Sequence, residues 1–351
     1  MNIPNDLHLP STFPTAEKRA LTIGFIPLLD SAPVIVAKEF GFFDDMGLDV
    51  TLSRESSWAS IRDKVQFGLL DAAPIPAGIV LASAMKIGTT QPMVTAMSLG
   101  LNGNAITVST KLWEQLNSSG KALNSLSAAQ ALKAYLTTVD EPVSVASVHT
   151  YSTHHFLLRE WLAEHNIDPD NKLKQHVVPP SHMIGAMQRG IIDIFCAGEP
   201  WNSLAQTQKI GHTLLSGHQI WENAPDKVLG VTRKWHETNP ISHQRLIAAL
   251  LKACMWLDSE ENTTEGFMLL KSRGYLNENL ANIDLHFGRH CFSIPRATFP
   301  NHSHAQWFIQ HINQLSGLPT LAENALLTQT ALANTYLTDI YQQMTESLNI
   351  Q

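Results

Sequence analysis

Two adjacent histidines, His154 and His155, follow a Ser-Thr pair and precede an apolar helical run in the stretch YSTHHFLLREW. Imidazoles at the start of a helix can ligate a metal, act as a catalytic base or donate a hydrogen bond to an anion. Neighbouring residues of a helix point about 100° apart, whereas a helical zinc pair needs positions i and i+4. The sequence contains neither HExxH nor a ladder of cysteines and histidines. A metal site is therefore disfavoured.

The position of these histidines at a helix start favours an anion site instead. Ser152 or Thr153 can cap the helix, which leaves first-turn amides and the positive end of the helix dipole available to an anion. An imidazole N–H of His154 can donate to the same anion. The alternative is that both histidines are core or surface residues without a function.

Three further residues have types and positions that suit an anion. Trp58 follows a Ser-Ser pair at a predicted helix start, where its indole N–H can face a cleft, although most tryptophans belong to the core. Gly198 ends a predicted strand, where a ligand oxygen can approach its backbone amide, although a plain turn has the same pattern. Lys227 is a natural counterion for a monovalent anion, although most lysines are solvated surface charges. Glu199 would repel an anion and is interpreted as structural.

Catalytic motifs are missing from the sequence. It has no GxSxG, Walker A or GxGxxG pattern, and Cys196 lies within an apolar run without an adjacent base. We therefore predict a binding protein that is not an enzyme.

Composition narrows the class of protein further. The chain has 351 residues, 44% of them hydrophobic, and a formal net charge of −7, which disfavours a nucleic-acid binder with a basic face. Its three cysteines have no CxxC spacing, as is usual in a reducing compartment. The N-terminus shows no apolar signal-like run, and the apolar stretch AAPIPAGIVLASAM is too short to span a bilayer. These features predict a soluble, cytoplasmic protein.

Strand and helix patterns alternate after a polar leader. ALTIGFIPL, LDVTLSRE and DAAPI read as strands, with a helix from about Ser31 to Gly41 or Gly47 and another in SWASIRDKVQFG. This alternation predicts parallel, doubly wound sheets. Beyond Asn239 the patterns become strongly helical, and they suit either a layer that completes a lobe or a docking element.

A weak internal repeat links the two halves of the chain. QFGLLDAAP (66–74) and QRGIIDIFC (188–196) share a helix end, a glycine, two apolar residues and an aspartate before a strand. The glycine suits a left-handed turn, and the aspartate can bond turn amides. Two lobes of similar construction follow from this repeat. GLNGNAITVST and KVLGVTRKW are the predicted crossovers, with a ligand cleft expected between the lobes.

Several segments together resemble the nitrate- and bicarbonate-binding proteins of ABC importers, the NrtA/CmpA family. They are LTIGFIPLLDSAPVIVAKEFGFFDDMGLDV, ESSWASIRDK, LNGNAITVS, THHFLLREWL and GEPWNSLAQTQKIG. The resemblance runs from about Leu21 to about Asn239. It implies a two-lobed α/β fold of the periplasmic-binding-protein-like type II, with two crossovers and a helical C-terminal region. The implied division is a leader at 1–17, lobe 1 at 18–104 and 228–351, and lobe 2 at 105–227.

The same resemblance implies which residues contact the ligand. The nitrate contacts of the family fall on Trp58 in SSW, Asn104 in NGN, His154 in STHH, Gly198 in GEP and Lys227 in PDK. Importer members usually carry Gln in place of Asn104. Bicarbonate-binding members carry Glu and a calcium ion at the lysine position, so Lys227 implies nitrate or nitrite and no metal or cofactor. Nitrate has only acceptor oxygens, and such a set consists of donors.

The family resemblance leaves two roles open. Without a signal sequence, the chain resembles the NasS type of cytoplasmic nitrate/nitrite sensor. Such a sensor holds a NasT-like, RNA-binding antiterminator of the ANTAR type and releases it when hinge closure follows anion binding. The alternative role is the solute-binding component of a nitrate ABC importer. An enzyme related to the pyrimidine synthases of this fold would need clustered cysteines, and the three cysteines are scattered.

Overall fold

The chain passes between two units at Leu101–Asn102 and at Ala224–Pro225. A computed structural model describes residues 7–88, 91–117, 123–276, 290–317 and 332–350. Unit 1 comprises the chain up to Leu101, Pro225–Leu276 and the chain from Cys291 onward. Unit 2 comprises Asn102–Ala224 and a segment that ends at His290. These first two crossings lie a few residues before the predicted ones at 104/105 and 227/228, and the later segment of unit 2 makes the chain cross more often than predicted.

Strands and helices alternate through most of the described chain. The strands are β1 Ala20–Phe25, β2 Asp49–Arg54, β3 Ala73–Pro76, β4 Met93–Val94, β5 Asn104–Ser109, β6 Val143–Ser147, β7 Leu173–Val177, β8 Ile194–Gly198, β9 Gly211–Ser216 and β10 Lys227–Thr232. The helices are α1 Ala32–Glu39, α2 Phe42–Asp45, α3 Trp58–Gln66, α4 Ala77–Ala84, α5 Thr110–Leu116, α6 Ser125–Thr138, α7 Thr153–Glu164, α8 Met183–Gln188, α9 Trp201–Thr207, α10 Gly217–Ile220, α11 Arg233–Thr238, α12 Pro240–Trp256, α13 Glu260–Ser272, α14 His302–Ser316 and α15 Thr338–Ser347.

Unit 1 opens with the predicted strand, helix and strand. β1 and β2 are parallel, and α1 and α2 connect them. Gly41 and Gly47 follow the two helices with φ of 73° and 72°, a conformation that glycine adopts at little cost. The helix predicted from about Ser31 therefore breaks once at Gly41, and its second piece ends just before Gly47.

The internal repeat has the same structure in both units. Helix α3 ends two residues before Gly68, and helix α8 ends two residues before Gly190. Both glycines have the left-handed backbone that was predicted, with φ of 72° and 68°. The strands β3 and β8 then begin shortly after the aspartates of the repeat, Asp71 and Asp193. The prediction of two similarly built turns is confirmed.

The repeat aspartates bond a neighbouring strand, where the sequence predicted turn amides as their partners. The Asp71 carboxylate accepts the N–H of Thr22 at 2.8 Å, and the Asp71 N–H donates to the Thr22 carbonyl at 2.8 Å. Asp193 forms the same pair with Ser144, at 3.0 and 2.8 Å. Thr22 lies in β1 and Ser144 in β6. Each aspartate thus ties the end of a helix turn to the strand beside it.

The sheets are mixed, whereas the sequence predicted parallel ones. Unit 1 holds the parallel pair β1–β2 and an antiparallel sheet in the order β3-β10-β4. Unit 2 holds a sheet in the order β7-β6-β8-β5-β9, in which β6 is parallel to β7 and β8, and β5 is antiparallel to β8 and β9. The reversed strands, β5 and β10, are those that follow the crossings between units. No helix crossover from a neighbouring strand sets their direction.

The helices after Asn239 belong to unit 1, where they form a layer that completes it. Helix α12 packs against α1 and α2, α15 packs against α12, and α14 packs against α4. The buried face of α12 carries Leu246, Leu250 and Cys254. Part of the predicted helical stretch 321–348 lies outside the described residues. None of the helices in the described ranges combines the length and apolarity that a membrane crossing requires.

The polar leader is bound to unit 1, although the sequence predicted a separate segment. The carboxylate of Glu17 accepts the backbone N–H groups of Ile241 and Ser242 at 3.1 and 2.9 Å. These amides belong to the first turn of α12, so Glu17 caps a helix distant in sequence. Burial opposes ionisation of Glu17, but these donors outweigh it and lower the pKa. Arg245 also donates to the carbonyl of Pro14 at 2.7 Å.

Candidate functional site

Trp58 occupies the first position of α3 in unit 1 and is 1% exposed. The Ser57 side chain caps this helix by accepting the backbone N–H of Ser60 at 3.1 Å. Within the described part of the chain, the indole N–H of Trp58 has no hydrogen-bond partner. Leaving a buried donor unbonded costs about 1–3 kcal/mol. Its position at a helix start was predicted correctly, and its role as a ligand donor stays a prediction.

Lys227 is the first residue of β10, and the structure brings it to Trp58 within unit 1. Its ammonium Nζ lies 5.0 Å from the centroid of the Trp58 ring, a cation–π contact. The same Nζ lies 2.9 Å from a carboxylate oxygen of Asp30 and forms a second ion pair with Asp226. The Lys227 side chain is 1% exposed.

The two carboxylates correct the prediction that donors alone surround the lysine. Burial opposes the charged form of Lys227, but attraction to Asp226 and Asp30 outweighs it and raises the pKa of the ammonium. Lys227 therefore remains charged, while two anionic side chains compensate its charge. The role of Lys227 as a counterion for the ligand stays a prediction. In the structure its ammonium is shared between Asp30 and Asp226 and contacts the Trp58 ring.

In unit 2 the structure brings Asn104 and Gly198 together. Asn104 opens β5 and is the register partner of Gly198, the last residue of β8. The Glu199 N–H donates to the Gly103 carbonyl at 2.8 Å and closes the end of this strand pair. The Asn104 side chain is buried, and neither its oxygen nor its nitrogen has a hydrogen-bond partner among the described residues. A buried amide of this kind offers a donor and an acceptor.

The backbone at Gly217 makes room for Asn104. A Cβ atom on Gly217 would lie 1.8 Å from the side-chain oxygen of Asn104. Gly217 is the first residue of α10, and Ser216 caps that helix. Only glycine leaves the amide of Asn104 in its place. Sequence reasoning missed this residue, because SGH in a polar stretch reads as an ordinary turn.

His154 lies in the first turn of α7, as predicted, and is fully buried. Ser152 caps this helix through a hydrogen bond from the backbone N–H of His155 at 3.3 Å. The imidazole Nδ1 of His155 lies 3.2 Å from the Ser147 hydroxyl at the end of β6. Helix α7 packs against β8 and β5, the strands of Gly198 and Asn104. His155 therefore bonds the end of β6, and the role of His154 as a ligand contact stays a prediction.

Glu199 follows Gly198 and is a buried acid. Burial raises the pKa of Glu199 to about 7, although Ser203 donates to its carboxylate and partly offsets the effect. The Ser203 N–H lies 3.1 Å from Oε2. Near neutral pH a large fraction of this side chain is uncharged. The repulsion expected between Glu199 and an anion is correspondingly reduced.

Metal ligation was disfavoured from the sequence. Over the residues that the structure describes, no group of three or more His, Cys, Asp or Glu side chains is placed to hold a metal ion. The absence of a metal and of a cofactor at the site stays a prediction, as do the five ligand contacts.

The two carboxylates that pair with Lys227, Asp30 and Asp226, were not predicted, although both lie in segments that the sequence analysis singled out. Asp226 immediately precedes Lys227 in PDK, and Asp30 lies in LLDSAP after the first strand. A buried lysine is rarely found without a paired carboxylate, which was the available signal. Spacing alone does not show which acid turns toward the ammonium.

The chain is similar to a known family and to several known proteins over most of its length. The family model of the NMT1-like family matches residues 14–270. The nitrate import ATP-binding protein NrtC of Synechocystis is 37% identical over 315 residues, which cover 84% of this chain and 46% of that protein. The nitrate/nitrite binding protein NrtA of Nostoc is 33% identical over 316 residues, 84% of this chain and 70% of that protein. The chain spans less than half the length of the first of these relatives.

Solved structures share the fold. The periplasmic nitrate-binding protein NrtA from Synechocystis superposes with a TM-score of 0.84 at 26% identity, over 96% of this chain and 91% of that one. The alkanesulfonate-binding protein SsuA from Xanthomonas axonopodis superposes with a TM-score of 0.58 at 15% identity, over 75% and 81%. The second likeness concerns the fold alone. The predicted periplasmic-binding-protein-like α/β fold is confirmed.

Replacing Glu199 with Gln should change how stability depends on pH. The carboxyl has a pKa near 4.5 when unfolded and about 7 when folded. Between these values the folded state holds the extra proton, so stability falls as pH rises. Glu199→Gln removes this fall and should be more stable than the parent at pH 8, by up to about 3 kcal/mol, and similar near pH 4.

Urea unfolding, followed by a spectroscopic signal from unit 2 and repeated from pH 4 to 8, measures the free energy of unfolding of both proteins. Glu164→Gln, an exposed carboxylate at the end of α7, is the matched control and should follow the parent at every pH. Parallel curves for Glu199→Gln and the parent would contradict a raised pKa.

Replacing Lys227 with Met should destabilise unit 1 by about 3–5 kcal/mol, because it leaves two buried carboxylates without their cation. Lys252→Met is the matched control. Lys252 is also buried and lies over an aromatic ring, that of Phe42, at 4.9 Å. Its carboxylate partner Asp45 is 38% exposed and can be hydrated, so the loss should be smaller.

Thermal unfolding measures both variants. Adding Asp226→Asn to Lys227→Met should recover part of the lost stability, because one uncompensated charge disappears. Equal stability of Lys227→Met and the parent would show that the ion pairs do not hold the unit together.

Proposed function

The chain belongs to the NMT1-like family, within the group of nitrate- and bicarbonate-binding proteins, and we propose that it binds nitrate or nitrite. The family consists of solute-binding proteins. The proposed ligand contacts are Trp58, Asn104, His154, Gly198 and Lys227. They are the positions where the family motifs place the nitrate contacts.

The observation that carries this proposal is the pair of buried polar groups at Trp58 and Asn104. Within the described residues, the indole N–H and the amide group lack hydrogen-bond partners. A buried unbonded donor is unfavourable, and a ligand oxygen that accepts the hydrogen bond relieves it. Nitrate and nitrite carry acceptor oxygens only, and both donors suit them. The named relatives of the chain include nitrate/nitrite binding proteins.

One feature supports nitrate or nitrite over bicarbonate. Lys227 itself stands where bicarbonate-binding members of the family carry Glu. Glu199 adds a pH dependence, because its ionisation above about pH 7 places a negative charge next to Gly198. Anion affinity should therefore weaken above that pH in the parent chain and not in Glu199→Gln.

We also propose that anion binding serves as a signal in the cytoplasm. In this proposal the anion-free chain holds a NasT-like antiterminator of the ANTAR type, and nitrate or nitrite releases it. Its support is the proposed anion site, since relatives of the chain are nitrate/nitrite binding proteins. Release requires that the anion and the partner prefer different conformations of the chain.

The second candidate is a solute-binding component of a nitrate importer. The relatives favour it, since their names describe a nitrate import ATP-binding protein and a nitrate/nitrite binding protein. Both candidate functions share the nitrate site and differ in the partner protein, an antiterminator or a membrane importer. Binding to these partners therefore distinguishes the two functions.

Replacing Trp58 with Phe should weaken nitrate binding by about tenfold or more, because one hydrogen bond to a charged acceptor disappears. Stability should also fall, because the smaller Phe ring leaves a cavity at a fully buried position, so binding is measured well below the unfolding temperature. Titration calorimetry with nitrate, nitrite, bicarbonate and sulfate measures the effect.

Trp256→Phe is the matched control. Its indole N–H is likewise buried and without a partner in the described chain, and its ring packs against Phe40 at 4.7 Å. This variant should keep the parent affinity. Unchanged affinity of Trp58→Phe would remove that residue from the site, and heat from bicarbonate alone would overturn the choice of ligand.

The sensor proposal predicts that nitrate dissociates a purified complex of the chain with a NasT-like protein. Size-exclusion chromatography with and without saturating nitrate measures this dissociation, and Trp58→Phe should need more nitrate for the same effect. A complex that persists at saturating nitrate contradicts release. Stimulation of a permease–ATPase pair by the nitrate-loaded chain would favour the importer.

A further inference from the structure

A cleft of about 490 Å³ lies along strand β2 in unit 1. Its lining includes most of β2 on one side and the turn Arg273–Tyr275 after α13 on the other, with Phe25 and Lys38 completing it. We call it the β2 cleft. None of the proposed nitrate contacts lines it. Its function is therefore a question separate from anion binding.

The floor of the β2 cleft is an edge strand. Among the described residues, β2 pairs with β1 alone. Asp49 N–H donates to the Arg19 carbonyl at 2.9 Å, and Glu55 N–H donates to the Phe25 carbonyl at 2.8 Å. Residues alternate in a parallel ladder, so the odd-numbered residues of β2 bond β1. The backbone groups of Val50, Leu52 and Arg54 consequently point away from β1, and those of Leu52 and Arg54 are accessible there, whereas Val50 is buried.

The rim of the β2 cleft carries an excess of positive charge in a chain whose net charge is −7. Lys38, Arg54 and Arg273 line it, against Asp49. Glu39 lies 3.5 Å from Arg273 and accepts the Tyr275 hydroxyl at 2.6 Å, which offsets one of these charges in part. The Arg273 side chain is 65% exposed and open to a partner.

Arg54 is held at the end of β2. Its guanidinium donates to the Gly274 carbonyl and lies 6.0 Å from the centroid of the Phe25 ring. A guanidinium has five N–H donors, so this contact leaves others available. Arg54 and Arg273 therefore offer two guanidinium groups at the same end of the edge strand, a pairing suited to carboxylates.

We propose that the β2 cleft binds an acidic, extended peptide segment of a partner protein, which adds as a strand to β2. Strand addition pairs the backbone groups of Leu52 and Arg54 at the edge, and the peptide carboxylates bond Arg54 and Arg273. The six residues of β2 span about 20 Å, the length of an extended segment of six residues. A compact polyanion would leave the backbone edge unpaired.

The experiment uses the full chain and a fluorescein-labelled hexapeptide of alternating valine and glutamate. Fluorescence anisotropy at low salt measures its affinity. One matched peptide replaces glutamate with lysine, and another keeps the glutamates but is N-methylated at every second residue along the edge that faces β2. Arg273→Ala is the test variant, and Arg296→Ala, an exposed arginine of the same unit, is its control.

The acidic peptide should bind the parent, and the lysine peptide should not. N-methylation should weaken binding by roughly tenfold or more, and Arg273→Ala by about fivefold, because each removes hydrogen bonds worth about 1 kcal/mol or more. Arg296→Ala should bind like the parent. Hydrogen exchange should show new protection at the amides of Leu52 and Arg54 on binding.

Three outcomes would overturn the proposal. They are equal binding of the acidic and lysine peptides, equal binding of the N-methylated peptide, and competition by inorganic pyrophosphate without protection at Leu52 and Arg54. The last outcome would identify a small-anion site. Trp58→Phe should bind the acidic peptide as the parent does, so the result does not depend on the proposed nitrate site.

Discussion

The buried ammonium of Lys227 links three segments of unit 1 at a place where charged side chains are removed from water. It joins Asp30 from the turn after β1, Asp226 from the entry to β10, and the ring of Trp58 at the start of α3. These segments are far apart in sequence, and one charge brings them to a common place. Removing two carboxylates from water is costly, and only such direct pairing offsets the cost. The position of Trp58 depends on this arrangement.

The local structure could be predicted where residue type dictates backbone geometry. The apolar run of β1, the glycines Gly41 and Gly47 and the Ser-Ser pair before Trp58 each led to the observed element. Strand direction could not be predicted in this way, because β5 and β10 follow crossings between units and no local connection orients them. Nor does sequence reveal that Glu17 in a polar leader caps α12. Such pairings depend on which distant partner meets a side chain.

In the candidate site, too, the features set by local sequence could be predicted, and those set by contacts between distant segments could not. Helix-start and strand-end motifs located Trp58, His154 and Gly198, and the structure places Gly198 opposite Asn104 in the ladder. The carboxylates beside Lys227 and the close approach of Gly217 to Asn104 were not predicted. Both arise from tertiary contacts that spacing does not encode. The sequence identifies candidate donors, but their orientation depends on the neighbouring acids and small residues, which only the tertiary structure shows.

The place of β10 in its sheet has a consequence for synthesis on the ribosome. Strand β10 lies between β3 and β4, so the first hundred residues lack the strand that joins those two. These residues can complete their sheet only after the intervening stretch up to Ala224, most of unit 2, has been synthesised. Nascent domains commonly mature from the N-terminus onward. We expect the inverse order here, because β3 and β4 can pair with β10 only after Lys227 and the residues that follow it have left the exit tunnel.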